Sequence, residues 1–189
     1  MNPIVWYISG HGFGHASREI EIINALRDRR PDVPIVVRTG AKRWIFDLTL
    51  RAPVDFQQAE CDTGVVQIDS LRLDEAETVR RAAAFYAGFD ARVAAERDLL
   101  RSIRPSLVVG DVPPLAFAAA RAAGVPSIAI ANFTWDWIYE GYEPGRFGAP
   151  ELPRQIIELP DALNDHPDHP RIRPVCRLCG VLAAPAGCL

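Results

Sequence analysis

Two histidines stand four positions apart inside a glycine-punctuated stretch, Gly10-His11-Gly12-Phe13-Gly14-His15-Ala16-Ser17-Arg18. An imidazole titrates near ambient pH, so it suits removal of a proton from a hydroxyl that is forming a new C–O bond. The competing reading is that His11 and His15 only hydrogen-bond the turn. Glycines at alternate positions let the backbone approach a ligand closely and take positive φ, and the N–H groups of a following helix face outward. Anionic or hydroxyl-rich ligands suit such a loop. It is not a dinucleotide fingerprint, because the third glycine of that pattern falls at His15. The acidic residue expected after the second strand is replaced by Arg38-Thr39-Gly40. Both departures speak against an NADP-dependent oxidoreductase domain.

Further polar candidates follow two later apolar runs. Asp111 comes directly after Gly110, where a carboxylate can orient an imidazole or a sugar hydroxyl. Asn132 and Asp136 punctuate an aromatic run, Phe133, Trp135, Trp137 and Tyr139, which is either a wall for stacking a sugar face or an apolar element over the sheet edge. Arg18 reads equally as a ligand for a phosphate or carboxylate and as a solvated helix residue. His166, His169, Cys176 and Cys179 have the types of a zinc site. They lie in a proline-rich stretch without a zinc-module hairpin or helix, with the histidines first, so no metal is expected.

The elements that must position these residues are legible from period and punctuation. Residues 3–8 form an apolar run that empties into the glycine loop, as a buried strand does. Ile20, Ile23 and Leu26 mark a helix that Pro31 closes. A second strand is expected over 33–37, a short helix over 42–50 and a weaker strand over 54–59. Residues 61–71 have no clean period and read as an irregular loop. A long helix is expected over 74–103, with Gly88 a kink, then a strand over 107–109 leading into Gly110-Asp111. Pro113-Pro114 opens another helix, and 127–131 makes a last strand. Continuous apolar strands separated by helices predict an α/β fold, a doubly wound parallel sheet of Rossmann-like type. Ligands bind beyond the carboxyl ends of such strands, so residues 10–18, Asp111 and 132–136 should converge there.

The chain has 189 residues, enough for one substantial core, and its net charge of −3 with mixed signs shows no nucleic-acid-like basic excess. No stretch approaches the roughly 20 apolar residues of a membrane span, and the N-terminus lacks a secretory pattern. A cytoplasmic protein is expected. Three of the four cysteines crowd into the last fourteen residues, which is no disulfide framework. From Pro144 onward prolines recur at 150, 153, 160, 167, 170 and 174. The expected organisation is a domain over 1–143 and an irregular tail over 144–189. That tail reads as a reading frame truncated or shifted after about residue 150; an identical end in the native transcript would refute this.

The segment GHGFGHASR, together with VVGDVPPLAFAAARAAGVPSIAIANFTWDWIY over 108–139, resembles bacterial glycosyltransferases of the GT-B type. It is also similar to the N-terminal region of plant L-arabinose kinases and, more distantly, to the lipid II N-acetylglucosaminyl transferase. The resemblance covers about residues 3–143. It implies one half of a two-domain architecture, in which the N-terminal domain holds a sugar or glycosylated acceptor and a C-terminal domain holds a nucleotide-sugar donor. It also implies metal-independent chemistry without a cofactor; no Asp-x-Asp motif is needed. His15 is then the candidate base and Asp111 its partner. Gly10, His11, Gly12, Phe13, Gly14, Arg18, Asn132 and Asp136 are the candidate acceptor contacts. With the donor domain missing, the chain is expected to be nearly inactive alone. A non-catalytic sugar-binding or regulatory module is the alternative that the kinase resemblance allows.

Overall fold

The computed structural model describes residues 1–139, with all of their side chains except those of Asp136 and Trp137. The proline-rich tail and the four His and Cys residues of the zinc pattern lie outside the described residues. Among the described residues, seven strands and six helices follow in order: β1 (Ile4–Ile8), α1 (Gly14–Arg29), β2 (Ile35–Thr39), α2 (Arg43–Thr49), β3 (Asp55–Gln58), β4 (Val66–Gln67), β5 (Leu73–Asp74), α3 (Glu75–Ala87), α4 (Phe89–Ile103), β6 (Leu107–Asp111), α5 (Pro114–Ala123), β7 (Ser127–Ala129) and α6 (Trp135–Tyr139). Five strands form one parallel sheet in the order β3-β2-β1-β6-β7. The chain leaves β1 toward β2 on one side and returns to β6 on the other. The strand order therefore reverses between β1 and β6, which is where a doubly wound sheet opens a crevice.

The period-two alternation of β1 explains why both faces are covered. Trp6 and Ile8 point to one side and pack with Ile20 and Ile23 of α1 and with Ile45 and Phe46 of α2. Val5 and Tyr7 point to the other, against Leu100 of α4 and Ala116, Phe117 and Ala120 of α5. Each such large side chain stabilises the fold by about 1.5–3 kcal/mol when fully buried. A third cluster joins Val79, Ala82 and Phe85 of α3 to Leu115, Trp135 and Tyr139, so α3 and α6 close the carboxyl end of the sheet.

Local chemistry sets the helix ends. Asp74 caps α3 by accepting from the Glu77 N–H at 2.9 Å. Pro114 occupies the first turn of α5, and Gly124 ends that helix at φ 72°. Three expectations are corrected. The second strand runs over Ile35–Thr39 instead of 33–37, because Pro34 lacks an N–H and its carbonyl instead receives the Ile4 N–H. The stretch read as an irregular loop contains half of a small antiparallel hairpin, β4 paired with β5. The long helix over 74–103 is two helices, α3 and α4, that meet at Gly88.

Candidate functional site

The parallel register brings the ends of three strands level, with Ile8 opposite both Thr39 and Asp111. The Ser9 N–H continues the ladder by donating to the Asp111 carbonyl at 2.8 Å. The chain then turns through Gly12 at φ 64° and enters α1, whose first turn carries His15. Gly10 is there for a different reason: a Cβ on it would lie 2.9 Å from the Cα of Gly40, so the loops after β1 and β2 touch backbone to backbone. Gly14 meets no such constraint, since a Cβ there has open space.

His15 lies 8% exposed with Nδ1 3.1 Å from Oδ1 of Asp111, itself fully buried at the end of β6. A carboxylate only accepts, so the bond requires the proton on Nδ1, and in the neutral ring this leaves the lone pair on Nε2. Arg18, one turn along α1, donates to the same Asp111 oxygen, to Oδ1 of Asn132 at 3.0 Å and to Oε1 of Glu19 at 3.3 Å. Its guanidinium ties α1 to β6 and to the segment after β7 while staying partly exposed. Oδ2 of Asp111 is buried and, among the described residues, has no hydrogen-bond partner.

His11 is held more as a packing group. Its ring stands edge-on to Trp135 at 5.6 Å and 6.4 Å from His15, and a Cβ on Gly64 would come within 2.6 Å of its own Cβ. Burial, and then the neighbouring His15, lower its pKa, which keeps His11 neutral. Phe13 is exposed and contacts Trp44 of α2 edge-on at 5.5 Å. Phe133 packs edge-on to His15 at 5.5 Å. Of the aromatic run, Trp135 and Tyr139 lie one turn apart on α6 and are buried, donating to Oδ2 of Asp62 at 2.8 Å and to the Gly64 carbonyl at 2.6 Å. Asp136 belongs to α6, and its side chain lies outside what the structure describes.

Two buried carboxylates escape the sequence reading. Glu19 is fully buried and accepts from Nε1 of Trp6 at 2.6 Å. Burial first, and then the charge of Asp111, push its pKa up to about 7, against the opposing pull of Trp6 and Arg18. A proton on Glu19 relieves the like-charge pair it otherwise forms with Asp111. The available signal was its place on the stripe Ala16, Ile20, Ile23, where a charged residue interrupts a buried helix face. Asp62 accepts from Ser9, Gly10 and Trp135, and burial still raises its pKa. Lying in an aperiodic stretch, it gave no signal. Among the described residues, no three His, Cys, Asp or Glu side chains converge to hold a metal ion. No described helix is long and apolar enough to cross a membrane.

A family model described as glycosyl transferase family 1 matches residues 2–137. An L-arabinokinase of Arabidopsis thaliana is 35% identical over 139 residues, which make up 72% of this chain and 13% of that protein. Among solved structures, the calicheamicin glycosyltransferase CalG4 superposes with a TM-score of 0.51 at 14% identity, over 84% of this chain and 42% of that one. MurG of Acinetobacter baumannii gives 0.44 at 12% identity, over 69% and 35%. The chain thus spans less than half the length of each of these proteins.

Proposed function

The chain belongs to glycosyl transferase family 1, and on that premise we propose that its described residues are the acceptor-binding half of a GT-B glycosyltransferase that uses a nucleotide-sugar donor. The observation that carries this reading is the 3.1 Å contact between His15 and Asp111 at the sheet's switch point. Nε2 of His15 takes the proton of an acceptor hydroxyl while that oxygen bonds to the anomeric carbon of the donor sugar and the nucleoside diphosphate leaves. Asp111 holds the ring in the required tautomer and stabilises the imidazolium that forms. Arg18 and Asn132, already bonded to one another, offer donors and acceptors to the hydroxyls of the acceptor. Phe13 and the backbone of Gly10, His11, Gly12 and Gly14 frame it, and Asp136 belongs to the same set.

In this reading the donor is held by a facing second domain, because transfer needs both substrates within reacting distance. Residues 1–139 alone then bind an acceptor and transfer almost nothing. A cytoplasmic location belongs to the same proposal. The test is a titration of the 189-residue chain with a panel of mono- and disaccharides, followed by amide NMR. Saturable shifts over residues 10–18, 111–112 and 132–133 are expected; sugars that leave all of these unmoved would sink the proposal.

A second reading, a sugar-binding module without transfer, draws on the 35% identity to a protein named as an arabinokinase. It predicts the same shifts but no transfer even when a donor domain and nucleotide-sugar are supplied.

A further inference from the structure

The loop that carries Asp62 also borders a cavity of about 290 Å³ that the proposed reaction does not use. Glu60, Asp62 and Thr63 form one side, Arg80, Arg81 and Phe85 of α3 another, and Arg92 of α4 completes it. The volume is near the lower end for small-ligand sites and suits a monosaccharide-sized group.

Three guanidinium groups, Arg80, Arg81 and Arg92, and two carboxylates, Glu60 and Asp62, line the cavity. Arg80 and Arg81 both bond a single carboxylate, Glu77, at 2.6–2.7 Å. Arg92 lies over the ring of Phe85 at 4.2 Å and reaches Glu60 at 3.2 Å. The remaining carboxylate, Asp62, is committed to Ser9, Gly10 and Trp135. Three guanidinium groups therefore stand among three carboxylates, of which Glu77 and Glu60 are paired with them. All of these arginines and Glu60 are solvent-exposed, and ion pairs in such positions are weak enough for an incoming anion to displace. A guanidinium fork matches the geometry of phosphate and carboxylate oxygens.

The cavity also shares a wall with the histidine site. Asp62 binds Trp135, whose ring lies 5.6 Å from His11 and 6.1 Å from His15. Thr63 Oγ1 lies 3.4 Å from the Tyr139 hydroxyl. We infer that the Arg80, Arg81 and Arg92 cavity binds the oxyanion of a sugar-sized anion, a phosphate monoester or a carboxylate. The anion site does not rest on the acceptor-site reading above.

Amide NMR of the full chain during titration with inorganic phosphate tests the anion site. Saturable shifts are expected in residues 60–64 and along the facing turns of α3 and α4. The Arg80→Ser, Arg81→Ser double variant should weaken phosphate at least tenfold. Glu77→Gln, which frees both arginines, should tighten it severalfold; these positions are exposed or half-buried, so neither variant threatens the core. Phosphate that moves none of these amides, or binds the double variant as tightly as the unsubstituted chain, would overturn the inference. Glucose 6-phosphate and glucuronate then distinguish the two oxyanions. Phosphate binding here with no sugar perturbing residues 10–18 leaves the anion site standing and removes the acceptor reading. Neutral sugars perturbing 10–18 with no phosphate effect does the reverse.

Discussion

At the level of single residues, a carboxylate that accepts from Nδ1 dictates which nitrogen of His15 is free. In its neutral form His15 should show the ¹⁵N shift pattern of the Nδ1–H tautomer, and Asp111→Ala should shift the population toward Nε2–H. An Nε2–H ring in the unsubstituted chain would contradict the geometry. Glu19 supplies a second expectation. Its folded pKa, about 7, is raised from 4.5, so the native state keeps a proton that the unfolded chain releases. That contribution to stability is full below about pH 4.5 and is lost as pH rises through about 7. Glu19→Gln keeps an acceptor for Trp6 and removes the charge. Its stability relative to the unsubstituted chain should therefore improve between pH 5 and 8, by roughly 1–3 kcal/mol. Urea denaturation at the two pH values would show it, and an unchanged difference would place the proton elsewhere. His15, Asp111 and Arg18 were legible in the sequence because they sit at strand ends or in a glycine loop. Glu19 and Asp62 were not, because burial of a charge is decided by neighbours distant in the chain.

At the level of elements, the glycines of the site do unlike jobs that sequence reading merges. Gly12 needs its positive φ and touches nothing, whereas Gly64 combines φ 58° with direct contact against His11. Gly12→Ala should therefore cost only about 1 kcal/mol, the left-handed strain alone. Gly64→Ala should cost roughly 2–4 kcal/mol and shift the His11 ring resonances, since overlap adds to strain. Equal costs in chemical denaturation would show that His11 gives way freely. The central parallel strands and α1 were readable from apolar runs and helical spacing. The β4–β5 hairpin was not: two-residue strands are too short to display a period. The helix α6 was missed for a related reason, because five residues are too few to show a helical period.

For the molecule as a whole, apolar packing of helices on the sheet is joined by a partly buried ion pair between β2 and α4. Arg38 of β2 bonds Glu96 of α4 through two nitrogens, and the Tyr7 hydroxyl of β1 donates to the same carboxylate at 2.7 Å. Glu96→Ala leaves a guanidinium that is 12% exposed without its main partner. It should destabilise the domain by about 2–4 kcal/mol in urea denaturation; a loss below about 1 kcal/mol would mean the pair behaves as a surface one. The doubly wound architecture was readable in the sequence because burial on both faces makes the central strands β1, β2 and β6 mostly apolar, whereas the edge strand β3, Asp-Phe-Gln-Gln, gave a weaker signal. The pairing of Arg38 with Glu96 was not readable, since it joins residues 58 positions apart. The central proposal, that His15 takes the acceptor proton, is tested most directly by the rate of sugar transfer from a nucleotide-sugar in a protein that joins residues 1–139 to a donor domain. With His15→Ala, kcat should fall by about 10²–10⁴-fold while the acceptor KM changes little. Transfer at the unsubstituted rate would contradict it.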